Sequence, residues 1–129
     1  MNKLDKESII GISALLVHAA KIDEIYSEHE KDLIKDFIKS YLKEIDLNEI
    51  LKKAEEIENS SNQLLNYTNI IKKNSIEIKK DIIEHLWRVI ISDKTVDQYE
   101  SNLMRRICGL IYFPDKECAE IKLKLINEK

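Results

Sequence analysis

Apolar residues recur at helical spacing through almost the whole chain. Leu33, Ile34, Phe37, Ile38, Tyr41, Leu42 and Ile45 fall at i, i+3, i+4 intervals, and so do Leu47, Ile50, Leu51, Ala54 and Ile57. The same rhythm returns in Leu64, Leu65, Tyr67, Ile70 and Ile71, then in Ile82, Ile83, Leu86, Trp87, Ile90 and Ile91. Leu103, Met104, Ile107, Leu110 and Ile111 form a fifth stripe, and Cys118, Ile121 and Leu125 a sixth. The stretch from Ile9 to Ala20 differs, being apolar on nearly every side. A helix without a polar face belongs at the centre of a fold. These patterns predict about seven helices, with the first and fifth forming the buried centre.

Polar residues mark where the helices start. Ser27-x-x-Glu30 is a capping box, and Asp46-x-x-Glu49 and Asp97-x-x-Glu100 are acidic starts of the same spacing. Ser75 can cap the fifth helix after the polar junction at Lys73. Pro114, followed by Asp115, suits the first turn of the last helix. The polar run from Asn59 to Asn62 ends the third helix.

Composition agrees with a single all-α domain spanning 1–129. Two glycines and one proline among 129 residues cannot supply the frequent turns of a β-sandwich or barrel. With 43 % hydrophobic and 35 % charged residues, a packed core lies beneath a strongly charged surface. The net charge of −3 gives no global attraction to nucleic acid or anionic membrane. The basic pairs Lys72-Lys73 and Lys79-Lys80 read as solvated faces. The apolar run from Ile9 to Ala20 is broken by Gly11, Ser13 and His18 and is too short for a bilayer. No direct membrane insertion is expected, and the cytoplasm is the expected location.

Catalytic patterns are missing from the sequence. It has no nucleophile elbow, phosphate-cradling glycine loop or zinc-protease HExxH motif. Glu84 adjoins His85 and His29 adjoins Glu30, whereas di-iron helices carry Glu-x-x-His. A non-enzymatic protein is expected. His18 and His85 read as structural, while His29 sits beside an acidic turn. Cys108 and Cys118 read as small buried core thiols, with a disulfide left open by their spacing.

An internal echo organises the chain. Asp23 and Glu30 reappear seventy residues later as Asp93 and Glu100, with the same seven-residue separation. The same shift lays Ile12 on Ile82, Leu16 on Leu86, Leu33 on Leu103 and Phe37 on Ile107. Segments 8–42 and 78–112 therefore read as repeated helix–turn–helix hairpins around a middle helical pair.

An apolar helix ending in Ala20-x-x-Asp23, a short turn, then Glu30, all used twice, resembles the TerB-like family, named for the tellurite-resistance protein TerB. The likeness runs from about Ile9 to Ile126, strongest at His18 to Asp23 and Leu86 to Asp93, followed by Leu103 to Leu110. The family's usual Asp-Gly turns stand here as Asp23-Glu24 and Asp93-Lys94. The resemblance implies a bacterial stress-response or tellurite-resistance module that binds partner proteins. It also implies a divalent-cation role for the duplicated acids.

The acidic turns support two readings. In one, Glu30 and Glu100 are helix caps and Asp23 and Asp93 bond within their turns. In the other, Asp23, Glu30, Asp93 and Glu100 are ligands for a hard divalent cation, Ca²⁺ or Mg²⁺ ahead of zinc, with Glu24, Glu28 and Asp97 as auxiliaries. The turns lack the glycine and oxygen pattern of an EF-hand loop. The first reading leaves a metal-independent interaction module, homodimer included, with Tyr26, Tyr99, Tyr112 and Phe113 as interface aromatics.

Overall fold

The computed structural model describes residues 5–22, 26–43, 46–60, 64–91 and 98–127. Seven helices lie within them: α1 (Lys6–Ala20), α2 (Glu28–Tyr41), α3 (Leu47–Ser60), α4 (Leu64–Lys72), α5 (Ile76–Ile91), α6 (Gln98–Leu110) and α7 (Asp115–Asn127). The chain is all-α, as its periodicity predicts. Most starts coincide with a side-chain oxygen that accepts an otherwise orphaned backbone N–H. Asp5 Oδ1 accepts from Ser8 N–H at 2.7 Å, and Ser75 Oγ accepts from Ile78 N–H at 3.3 Å. Asp46 Oδ1 accepts from Asn48 and Glu49 at 3.0 and 3.3 Å. Pro114 stands just before α7 rather than inside it, its carbonyl accepting from Cys118 N–H at 3.1 Å. Asp97, Ile45 and the side chains of Leu64 and Leu65 lie outside the described residues.

Helix α1 organises the core. Ten of its fifteen residues are buried, spread around the helix rather than along one stripe. It packs on α2, α3, α4 and α5. Helix α5 packs on α1, α2, α4 and α7. Burying one Leu or Ile contributes roughly 1.5–3 kcal/mol, so the fully buried Ile9, Ile12, Leu15 and Leu16 make α1 costly to expose. Small residues let neighbours approach closely. Ile70 Cδ1 of α4 lies 2.5 Å from where a Cβ on Gly11 would sit.

Positions seventy apart share their burial: Ile12 with Ile82, Leu16 with Leu86, and Phe37 with Ile107 are all fully buried. The surroundings of the paired helices differ, however. Helix α1 lies directly along α2, whereas α6 makes its closest approaches to α4 and α7. At equivalent positions α5 buries Ile82, Ile83, Leu86 and Trp87 where α1 buries Ile12, Ser13, Leu16 and Val17.

Two sequence expectations need correction. Ile57 is 38 % exposed, and the inward place on that stripe belongs to Glu58, which is 6 % exposed. Phe113, expected at an interface, is 3 % exposed. It follows Tyr112, whose φ of 60° reverses the chain after α6. Phe113 N–H then donates back to the Cys108 carbonyl at 2.8 Å and Tyr112 N–H to that of Gly109 at 3.4 Å. This is a Schellman ending, which brings the second residue past the cap against the helix's last turn.

One polar atom of α1 is out of place. Ser13 is fully buried and its Oγ has no hydrogen-bond partner. Ser13→Ala removes a desolvation cost of about 1–3 kcal/mol and adds helix propensity. The variant is expected to raise the urea midpoint, with a gain of about 1 kcal/mol. A loss of stability would show that the hydroxyl is satisfied in solution.

Candidate functional site

The site begins at the two corners where α1 meets α2 and α5 meets α6. In each, a glutamate is the third residue of the second helix: Glu30 in α2 and Glu100 in α6. Both are buried, at 3 % and 2 % exposure. Their aspartate counterparts, Asp23 and Asp93, lie outside the described residues, as do Glu24 and Lys94. Among the described residues, no three His, Cys, Asp or Glu side chains are grouped to hold a metal ion. A cation at either corner would therefore need acids outside the described residues.

The first corner is built by three helices. Glu30 Oε1 accepts from Ser27 N–H at 2.8 Å and from the Ser27 hydroxyl at 3.2 Å. Glu30 N–H in turn donates to Ser27 Oγ at 3.1 Å, completing the capping box. Next to it, the Tyr26 hydroxyl donates to Glu55 Oε2 of α3 at 2.7 Å. Burial first, then the bond to Glu55 and the charges of Glu55, Glu30 and Glu28, push the Tyr26 phenol well above its ordinary range. Tyr26 thus stays protonated and serves as a hydrogen-bond donor within a carboxylate-rich corner.

Cations partly balance these acids. Lys31 Nζ lies 5.0 Å from the Tyr26 ring centroid and 3.4 Å from Glu28 Oε1. Lys21, at the end of α1, donates to Glu58 Oε1 at 2.8 Å and to Asn59 Oδ1 at 3.0 Å. His18 Nδ1 lies 3.3 Å from Glu58 Oε2. Glu58 thereby ties the last turn of α1 to the end of α3, immediately before the acidic turn. Glu55 and Glu58 were invisible as site residues in the sequence, because their partners lie 29 to 40 residues away. The available signal was their i, i+3 spacing on one helix.

A second polar cluster joins α2 to α5. The Tyr41 hydroxyl donates to Asp81 Oδ2 at 2.6 Å, and His85 Nε2 lies 3.6 Å from Asp81 Oδ1. The Phe37 ring stands edge-on to His85, with centroids 5.2 Å apart. His29, by contrast, is exposed at the surface of α2. Of the expected interface aromatics, Tyr26 is engaged with Glu55, and the Tyr99 side chain lies outside the described residues. Tyr112 is 69 % exposed beneath Lys72, whose Nζ lies 4.9 Å from the ring centroid.

A family model described as tellurite resistance protein TerB matches residues 10–123. No curated protein and no solved structure matches the chain. No described helix is long and apolar enough to cross a membrane.

The α2–α5 cluster carries a pH dependence. Burial lowers the His85 pKa, with Arg88 adding to it, against the opposing charges of Asp81, Glu84 and Asp36. A histidine depressed in the fold takes up its proton more readily when unfolded. Its contribution is therefore complete above about pH 6.5 and is lost as pH falls through the lower native value. The urea midpoint should drop between about pH 7.5 and about pH 5.5, and His85→Gln should flatten that drop. An equal drop in both proteins would assign it to other groups.

Proposed function

The chain belongs to the family of the tellurite resistance protein TerB, and from that membership we propose a non-enzymatic helical module that binds partner proteins and a divalent cation in a tellurite-resistance or stress-response setting. The observation that carries this reading is the matched burial of Glu30 and Glu100, at 3 % and 2 % exposure, in the same turn of α2 and α6. Asp23, Glu30, Asp93 and Glu100 are the proposed ligands. An all-oxygen set suits Ca²⁺ or Mg²⁺, whereas zinc favours nitrogen and sulfur. Neutralising the acids at both corners would bias how the two hairpins pack, and a partner could read that bias. The hairpin duplication over 8–42 and 78–112 is part of the same proposal.

A specific observation favours a second reading. Glu30 Oε1 is already occupied by both donors of Ser27, as a purely structural cap requires. The module then acts through its surface alone, as a heteromeric partner or a homodimer, with Tyr112 the exposed aromatic among the described residues.

Calorimetric and thermal titration with Ca²⁺, Mg²⁺, Mn²⁺ and Zn²⁺ separates the two. Cation binding raises the melting temperature as the ion saturates, by about 2.7 kcal/mol of stability at a hundredfold excess over Kd. Asp23→Asn with Asp93→Asn should abolish that rise, as should Glu30→Gln with Glu100→Gln. Absence of heat and of any thermal shift at about 1 mM ion leaves the structural-cap reading. Light scattering on the same samples then decides between monomer and homodimer.

A further inference from the structure

Helix α7 carries two apolar stripes where a surface helix ordinarily carries one. Cys118, Ile121 and Leu125 face the core and are buried. Ala119, Leu123 and Ile126 recur at i, i+4, i+7 on the opposite side and are exposed, Leu123 at 58 % and Ile126 at 39 %. We infer that this outer face pairs with the same face of a second copy of the chain, the two α7 helices running antiparallel about a twofold axis beside Lys122 and Leu123. The inference rests on the surface-interaction reading above and needs no cation.

Charge along the helix selects a second copy and its direction. From Asp115 to Glu120 the helix holds three acids and one lysine, and from Ile121 to Asn127 two lysines and no acid. An antiparallel copy sets the acidic half of each helix against the basic half of the other, whereas a parallel copy sets like charge on like. Glu120 and Lys124 stand one turn apart on the same flank of the outer stripe, and both are exposed. Neither has an ion pair among the described residues. The axis that sets Ala119 opposite the partner's Ile126 also sets Glu120 opposite the partner's Lys124. One register therefore serves both the apolar stripe and its charged flank.

Shape points to the same register. Ala119 lines a surface cavity of about 430 Å³ together with the buried Trp87, Met104 and Cys118. The partner's Ile126, arriving at Ala119, stands at the mouth of that cavity, and the small alanine side chain leaves room for it. The twofold axis repeats the contact, so each copy offers one knob and one hole, as a self-complementary interface requires. A contact of this extent belongs with weak, reversible dimers, which bury less than about 1,200 Å².

The test is sedimentation equilibrium of the full chain from about 10 µM to about 1 mM without added divalent ion. The average mass should rise from one chain toward two. Trp87, the only tryptophan, borders the cavity to be filled, so its emission should change over the same range. Leu123→Glu should weaken association at least about tenfold, with the urea midpoint unchanged because the site is on the surface. Glu120→Lys and Lys124→Glu should each weaken it about threefold, and the two together should restore it, since the pairs re-form with their signs exchanged. Three results would overturn the inference: a single chain at about 1 mM, a dimer indifferent to Leu123→Glu, or a double reversal no better than either single one. The first is read on the unsubstituted protein and leaves only heteromeric binding to the surface-interaction reading. The second keeps the homodimer but moves its contact to another face.

Discussion

From Ile9 onward helix α1 offers almost no face that water can wet, and the rest of the molecule is arranged around that fact. Its buried residues occupy every side, so four helices must enclose it. Their covering positions fix where α1 can end, and its end fixes the first corner. Lys21 and His18, on the last turn, meet Glu58 of α3. The acidic turn that follows starts from a helix held by charge as well as by packing. Local packing thus reaches the candidate site through one short chain of contacts.

Electrostatics at that corner are more balanced than the row of acids along the sequence suggests. Glu28, Glu30 and Glu55 lie around Tyr26 and Glu58 holds the end of α1, but Lys31 attends Glu28, Lys21 attends Glu58, and Ser27 and Tyr26 donate to Glu30 and Glu55. Each carboxylate with a partner repels its neighbours less and attracts a cation less. An ion bound there competes with these internal donors, which favours modest affinity over tight capture. The second corner adds Glu100 in the equivalent turn of α6, itself buried. Its helix leans on α4 and α7 instead of α5. The two corners thus share a helical position within different packing environments.

Much of the fold was legible because its signals are local. Helical period, capping residues and the scarcity of Gly and Pro act within a few positions, and the helices lie where those signals place them. Ile57 and Phe113 show where local signals fail. A stripe says which positions are neighbours on a helix, but the facing helix decides whether Ile57 or Glu58 turns inward. Phe113 is buried because Tyr112 takes a left-handed conformation at the end of α6, a role glycine usually fills. The polar networks were less legible still. Tyr41 with Asp81 and His18 with Glu58 are pairs forty residues apart, and such contacts exist only once the helices are packed. The cysteines were read correctly as buried, while the Trp87 indole that donates to Cys118 comes from a helix thirty-one residues away.

The most direct measurement of the acidic-corner proposal is paramagnetic broadening by Mn²⁺, used as a reporter for a hard divalent cation and read on the backbone amides of the full chain. If the duplicated corners hold a cation, substoichiometric Mn²⁺ erases the amide signals around Glu30 and Glu100 together, before those of exposed acids such as Glu49 and Glu117, and excess Mg²⁺ restores them. Broadening spread evenly over exposed acids, or none at either corner, would contradict it and leave both glutamates as caps alone.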